Sequence, residues 1–170
     1  MDKRWIYILI ILIIGVTCLY FIVDASTTLG SANVNVNSYT ITLPSTYNVD
    51  SSGKEYVDLI NRKTNEKIHV EDLGKGNSIN TKLSEKLSEL HNDGETDKIS
   101  NTTVKIDNSA IPTVYYENLT NNTDNQIFYM QKHNHTFIII CNNIQDNDTM
   151  MNDVNYIIDT LKPDFKQKQD

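Results

Sequence analysis

Apolar residues are concentrated in one uninterrupted run near the start of the chain. The run Trp5–Val23 reads WIYILIILIIGVTCLYFIV and contains no charged residue. As a helix it would span about 30 Å, which is the thickness of the hydrocarbon core of a bilayer. Trp5 and Tyr7 at one end, and Tyr20 and Phe21 at the other, occupy the interfacial positions that aromatic residues prefer. We expect a transmembrane signal anchor over residues 5–23.

The charges that flank this run predict its orientation. Lys3 and Arg4 precede it and Asp24 follows it. Positive residues stay in the cytoplasm, so residues 1–4 are expected inside and the rest of the chain outside, as a single-pass protein of the cell membrane. The alternative is a cleaved signal peptide and a secreted protein, although the run exceeds the usual 7–15 apolar residues of such signals. Both interpretations export the same domain.

A polar linker over residues 24–37, DASTTLGSANVNVN, follows the anchor. We expect a first strand to begin inside or just after it. Tyr39, Ile41 and Leu43 then alternate with threonines, which is the two-residue period of a strand with one buried face. Pro44 ends that strand, because proline cannot donate to the ladder.

Further strands are predicted where apolar residues lie between polar turns. The ranges are Tyr56–Ile60, Lys67–Leu73, Thr102–Ile106, Thr113–Leu119, Gln126–Gln131 and Thr136–Cys141. Short polar connections imply antiparallel hairpins, and Pro112 disfavours pairing at the start of its strand. Because Phe137–Cys141 is apolar on both faces, we place it in the centre of the sheet.

Two segments have apolar residues at helical spacing. The stripes are Ile79, Leu83, Leu87 and Leu90 in the first, and Met150, Val154, Ile157, Ile158 and Leu161 in the second. Asn77 or Ser78 is expected to cap the first helix, and Asn147 or Asp148 the second. Pro163 is expected to end the second helix.

The resulting order is three strands, a helix, four strands and a helix. It predicts the α+β class, with one α/β/α sandwich over residues 38–166 behind the transmembrane helix. Its central antiparallel sheet would have about six to seven strands and would be covered by the two amphipathic helices. Residues 167–170 form a solvated tail.

This order, with TITLPSTYNV near the start and VNYIIDTLKPDF near the end, resembles the PsbP-like superfamily over about residues 38–166. That superfamily includes the extrinsic subunit of photosystem II and a Ran-binding nuclear import factor. The resemblance implies an α/β/α sandwich that docks onto a larger assembly. It supplies no catalytic motif, and the anchor suits an exported prokaryotic member.

Charge and motifs exclude several function classes. The chain has 15 Lys and Arg against 22 Asp and Glu, a net charge of -7, which opposes binding to nucleic acid phosphates. Gly74-Lys75-Gly76 lacks the spacing of a phosphate-binding loop, and no Gly-x-Ser-x-Gly, Cys-x-x-Cys, His-Glu-x-x-His or calcium-loop pattern occurs. We therefore assign no catalytic, cofactor-binding or metal-ligating residue.

The chain has four histidines, which are candidate ligands by residue type. His133 and His135 could meet one metal ion if both lay on a strand, but they fall in a predicted turn without a third ligand. Solvated turn residues are the expectation, with a metal site as the alternative. His69 on the polar face of a strand and His91 at a helix end are expected at the surface.

Cysteines and tyrosines receive structural roles. Cys18 lies in the apolar run and Cys141 in the exported part, so they cannot pair, and Cys141 is expected in the core. Tyr115, Tyr116 and Tyr129 are expected to pack across adjacent strands, with an aromatic ligand platform as the alternative.

Five Asn-x-Ser/Thr sequences are candidates for glycosylation in a host that modifies exported proteins. They begin at Asn101, Asn118, Asn121, Asn134 and Asn147. An Asn-rich and Thr-rich composition also produces such sequences by chance.

These features predict a membrane-anchored, extracytoplasmic, non-catalytic binding or assembly module. Its expected partners are membrane lipid, through the N-terminal helix, and an envelope or surface protein of unknown identity. The alternative is an exported enzyme, or a protein that binds a metal or small ligand at an unrecognised site. In that case His133, His135 and the tyrosines are the first residues to examine.

Overall fold

The computed structural model describes residues 32–106 and 109–164. The predicted anchor at 5–23, most of the predicted linker and the tail at 167–170 lie outside the described residues. Within the described ranges, no helix is both long enough and apolar enough to cross a membrane.

Ten strands and two helices make up the described part of the chain. The strands are β1 (Asn33–Val36), β2 (Tyr39–Thr42), β3 (Asn48–Ser52), β4 (Tyr56–Ile60), β5 (Lys67–Lys75), β6 (Thr96–Ile106), β7 (Ser109–Asn118), β8 (Thr123–Lys132), β9 (His135–Asn142) and β10 (Lys162–Pro163). The helices are α1 (Ile79–Asn92) and α2 (Asn147–Thr160).

Seven strands form one antiparallel sheet in the order β3-β4-β5-β9-β8-β7-β6. The apolar strand β9 lies fourth of the seven, which confirms that Phe137–Cys141 occupies the sheet centre. Phe137, Ile139 and Cys141 face one core cluster, while Ile138 and Ile140 face the other. The two-sided pattern arises because both faces of the central strand are covered.

Different elements cover the two faces. Helix α2 and the small sheet β1-β2-β10 bury one face, with Met150, Val154 and Ile157 at most 1% exposed. Helix α1 packs on β6, β7 and β8 on the opposite face, where Leu90 is buried. The domain is therefore an α/β sandwich with two separate cores, in which each predicted helix contributes its apolar stripe.

The helix caps agree with the predictions in part: the cap position of α1 is one of the two predicted, and that of α2 is not. Ser78 occupies the cap position of α1 without a side-chain capping hydrogen bond, and its neighbour Asn77 donates from its carboxamide to the carbonyl of Leu73. Helix α2 is capped by Asp146, whose carboxylate accepts from the amide of Asp148. Asp146 lies one residue before the predicted Asn147, and it has the extended backbone that a cap requires.

Strand β7 also runs through Pro112, where the sequence predicted that pairing is disfavoured. Pro112 lies opposite Thr103 of β6, whereas pairing with β8 starts at Thr113. Proline is tolerated because this segment of β7 has a strand on one side only.

Candidate functional site

A row of polar side chains crosses four neighbouring strands at one end of the large sheet. Lys67 on β5 pairs with Asn142 on β9, and Tyr116 on β7 pairs with Asn125 on β8. Because Gln126 of β8 pairs with Cys141 of β9, the adjacent residues Asn125 and Asn142 come next to each other at the ends of these strands. Because side chains alternate along a strand, all four lie on the α1 face of the sheet.

This row forms the floor of a pocket of about 450 Å³. Its walls come from the connection between β7 and β8, through Asn118, Asn121 and Thr123, and from the turns at Asn65 and Asn143. The volume lies within the range of small-ligand sites. We call it the asparagine pocket, because six of its lining residues are asparagines and Lys67 alone among them is charged.

Internal hydrogen bonds fix the frame of the pocket. Asn125 is 3% exposed; its Nδ2 donates to the Thr123 carbonyl at 2.9 Å, and its Oδ1 accepts from the Asn143 amide at 3.3 Å. Asn143 has a φ of 58°, a left-handed conformation that asparagine tolerates, and its Nδ2 donates to the Asn65 carbonyl at 3.2 Å. These contacts join the ends of β5, β8 and β9.

The wall from β7 is fixed in the same way. Oδ1 of Asn118 accepts from the amides of Thr120 and Asn121, at 3.0 and 3.2 Å. Side chains of this type commonly close turns by accepting from the backbone two residues ahead. The turn therefore holds Asn121 at the edge of the pocket.

Other groups of the pocket are available to a ligand. The side chains of Asn65, Asn121 and Asn142 form no hydrogen bond within the part of the chain that the structure describes, so each presents an acceptor and two donor protons. The hydroxyl of Tyr116 is neutral at physiological pH, and burial, with the charge of Glu89 adding to the effect, raises its pKa further. The pocket thus offers uncharged groups that both donate and accept.

His133 and His135 differ in burial, although both of their rings lie near the ring of Tyr39. His135 is buried, and its Nδ1 lies 2.8 and 3.0 Å from the two carboxylate oxygens of Asp72. Asp72 also accepts from Nδ2 of Asn37 at 2.9 Å and from the amide of Gly74 at 2.8 Å. His133 is exposed in the turn, as expected, whereas His135 was wrongly expected in solvent. His135 is buried because it is the first residue of β9 and its ring contacts the buried carboxylate of Asp72.

No group of three or more His, Cys, Asp or Glu residues is arranged for a metal within the described ranges. His69 lies on the polar face of β5, as expected, where its Nδ1 is 2.7 Å from the Asp58 carboxylate. His91 is exposed, and its Nδ1 is 2.7 Å from the Leu87 carbonyl. The position of each of these two rings is accounted for by its own hydrogen-bond partner.

The cysteine and the three tyrosines singled out in the sequence lie in different places in the fold. Cys141 is fully buried, and burial raises the pKa of its thiol, so the prediction of a core residue is confirmed. Tyr115 and Tyr116 follow each other on β7 and face opposite sides. The Tyr115 hydroxyl donates to Asp124, while Tyr129 is buried beneath α1. The three tyrosines do not form one platform.

Glycosylation candidates occupy varied surroundings. Four of the candidate asparagines are exposed: Asn101 on β6, Asn121 in the β7–β8 turn, Asn134 in the β8–β9 turn and Asn147 at the start of α2. Asn118 is half-buried and hydrogen-bonded. Asn118 and Asn121 line the asparagine pocket, which the sequence analysis did not identify.

Most residues of the pocket were missed because they come together only through strand register. Asn142 at the end of β9 and Lys67 at the start of β5 are far apart in sequence, and they meet only because the two strands pair. The available signal was the recurrence of asparagine at the ends of consecutive strands.

No protein-family model matches the chain, and no curated protein sequence matches it significantly. Solved structures do match the chain, and two of them show the extent of the fold similarity. A protein from Bacteroides thetaiotaomicron aligns with a TM-score of 0.50 and 17% identity over 74% of this chain, which spans 45% of the length of that protein. Cyanobacterial PsbP from Synechocystis aligns with a TM-score of 0.52 and 11% identity, over 79% of this chain and 95% of its own. At such identities the likeness concerns the fold alone, and the described domain has a PsbP-like fold.

Proposed function

We propose that this chain is a membrane-anchored, extracytoplasmic binding module that holds a polar partner of the envelope or cell surface in the asparagine pocket. The observation that carries the proposal is the set of three carboxamides around one pocket, those of Asn65, Asn121 and Asn142, that have no hydrogen-bond partner among the described residues. Polar groups that converge on a concave surface without partners of their own are typical of a binding site.

The N-terminal sequence supports the tethered position. Trp5–Val23 is apolar throughout, and Lys3 and Arg4 precede it. A helix of this kind would leave residues 24–31 as a short polar spacer before β1. The pocket would then face the space outside the membrane.

A binding role is favoured over catalysis by the chemistry of the lining. Its residues are asparagines, Thr123, Tyr116 and Lys67, which orient a ligand through hydrogen bonds. A hydrolytic site would place a nucleophile beside a general base. The alternative function, a protein that binds a small ligand, would use the same pocket.

The test compares two single substitutions in the full-length chain, held in phospholipid nanodiscs. Asn142→Ala removes a carboxamide of the pocket without breaking a hydrogen bond to any residue in the described ranges, and Asn80→Ala removes an exposed carboxamide from α1. We expect Asn142→Ala to weaken binding to isolated envelopes of the source organism about threefold to tenfold, and Asn80→Ala to leave it unchanged. Equal binding by both variants would contradict the proposal.

A further inference from the structure

We infer that the ligand of the asparagine pocket is a neutral carbohydrate, an inference that rests on the proposed function and specifies its chemistry. Three properties of the described pocket lead to it: the kind of hydrogen-bonding group, the charge of the lining and the rigidity of the frame.

The hydrogen-bonding groups match hydroxyls better than charged groups. Each free carboxamide of Asn65, Asn121 and Asn142 places one acceptor and two donor protons in a plane. A sugar hydroxyl also donates and accepts, so neighbouring hydroxyls can satisfy both halves of one carboxamide. A ligand that only accepts, such as phosphate, would leave the carboxamide oxygens unpaired.

The charge of the lining excludes strongly ionic ligands. The described residues that line the pocket include no carboxylate, so a cationic ligand would have no counter-ion there. An anionic ligand would meet one ammonium, that of Lys67, within a chain of net charge -7. Sites for phosphate and carboxylate commonly use the fork of an arginine or several backbone amides.

Tyr116 gives the floor an apolar part as well. Its half-buried ring lies on the sheet beside Asn125, and its hydroxyl is neutral at physiological pH, a state that burial favours further by raising its pKa. A ring with a polar tip suits ligands that combine C–H faces with hydroxyl edges. Sugars have both features.

The frame is organised before any ligand arrives. The side chains of Asn125, Asn143 and Asn118 form hydrogen bonds within the protein, and these fix the turns that carry Asn65 and Asn121, while Asn142 is held in strand β9. Ordering of loops on binding is therefore small, and this lowers the cost of holding a weakly attractive neutral ligand.

The experiment titrates the full-length protein with defined neutral oligosaccharides of glucose, mannose, galactose and N-acetylglucosamine. The protein is made in a bacterium without N-glycosylation, so that Asn121 is unmodified, and is held in phospholipid nanodiscs, because sugar detergents would compete. Binding is followed by isothermal titration calorimetry and by amide chemical shifts. Inorganic phosphate and polygalacturonate serve as anionic comparisons.

We expect at least one neutral series to bind, with shifts at the pocket residues. Asn142→Ala and Asn121→Ala should each weaken binding about threefold to tenfold, and Asn80→Ala should not. Absence of binding at about 10 mM, in the range of very weak affinity, or equal affinity in the pocket variants, would overturn the inference. If envelopes still bind through Asn142 while saccharides do not, the proposed function stands and the ligand class is wrong. If saccharides bind while envelopes do not, the ligand class stands and the envelope partner is wrong.

Discussion

Asp72 places a carboxylate inside the domain, with its side chain 0% exposed. Asn37, Gly74 and His135 supply the donors that compensate for its removal from water. Removing one partner of such a cluster leaves the others buried without an acceptor. We expect Asp72→Ala to lower the free energy of unfolding by about 3–5 kcal/mol in urea denaturation. His133→Ala, in the exposed turn nearby, is the control, and a similar loss in both variants would contradict this role.

Asp153 on α2 makes stability depend on pH. Burial, and then the negative charge of Glu66, raise its pKa from 3.8 to about 6. The folded state therefore binds the proton more tightly than the unfolded state, and this contribution to stability is complete below about pH 4 and lost as the pH rises through 6. Tyr47 and Cys141 share this region and stay neutral, since burial raises the pKa of both.

The substitution Asp153→Asn tests this dependence. At pH 7.5 it should raise the free energy of unfolding by about 1–2 kcal/mol, after allowance for solvent screening, and at pH 4 it should have little effect. Urea denaturation at the two pH values measures the difference. A variant that is less stable than the wild type at pH 7.5 would show that the carboxylate is needed in its charged form.

At the scale of elements, helix α1 is attached to the sheet by one apolar stripe. Leu90 is 4% exposed and packs with Val114, Ile127 and Ile138. Leu90→Ala should cost about 2–4 kcal/mol through lost burial and a cavity. Leu119, which is 53% exposed, provides the control, and Leu119→Ala should be neutral. Thermal unfolding followed by circular dichroism compares the two, and equal stability would contradict this packing.

Elements that bury a regular apolar pattern were predictable from sequence, and elements that bury little were not. The stripe of α1 and the two-sided run of β9 each indicated both the element and its place. Strand β3 was missed because four of its five residues are exposed, and pairing with β4 alone defines it. The two-residue strand β10 depends on the register with β2. The asparagine pocket has the same origin, because only the folded sheet brings Lys67 beside Asn142.

At the scale of the whole molecule, the proposed location of the domain outside the membrane depends on residues 5–23, which lie beyond the described part of the chain. If that segment is a retained anchor with Lys3 and Arg4 inside, residues 24–31 form an exposed tether. Protease added to intact cells should then cut this tether and release a folded fragment that contains β1 to β10. Immunoblotting of cells and medium follows the fragment, and a cytoplasmic protein should stay intact as the control.

Two other outcomes would each change a specific part of this arrangement. A domain that survives protease in intact cells but is cut after lysis would lie inside, and the proposed orientation would be wrong. A domain found in the medium before protease is added would mean that the N-terminal segment is cleaved near Val23-Asp24-Ala25. The proposed binding through the pocket would be unaffected in that case, because the pocket is lined by residues between Asn65 and Asn143, whereas the proposed confinement to the membrane surface would be wrong.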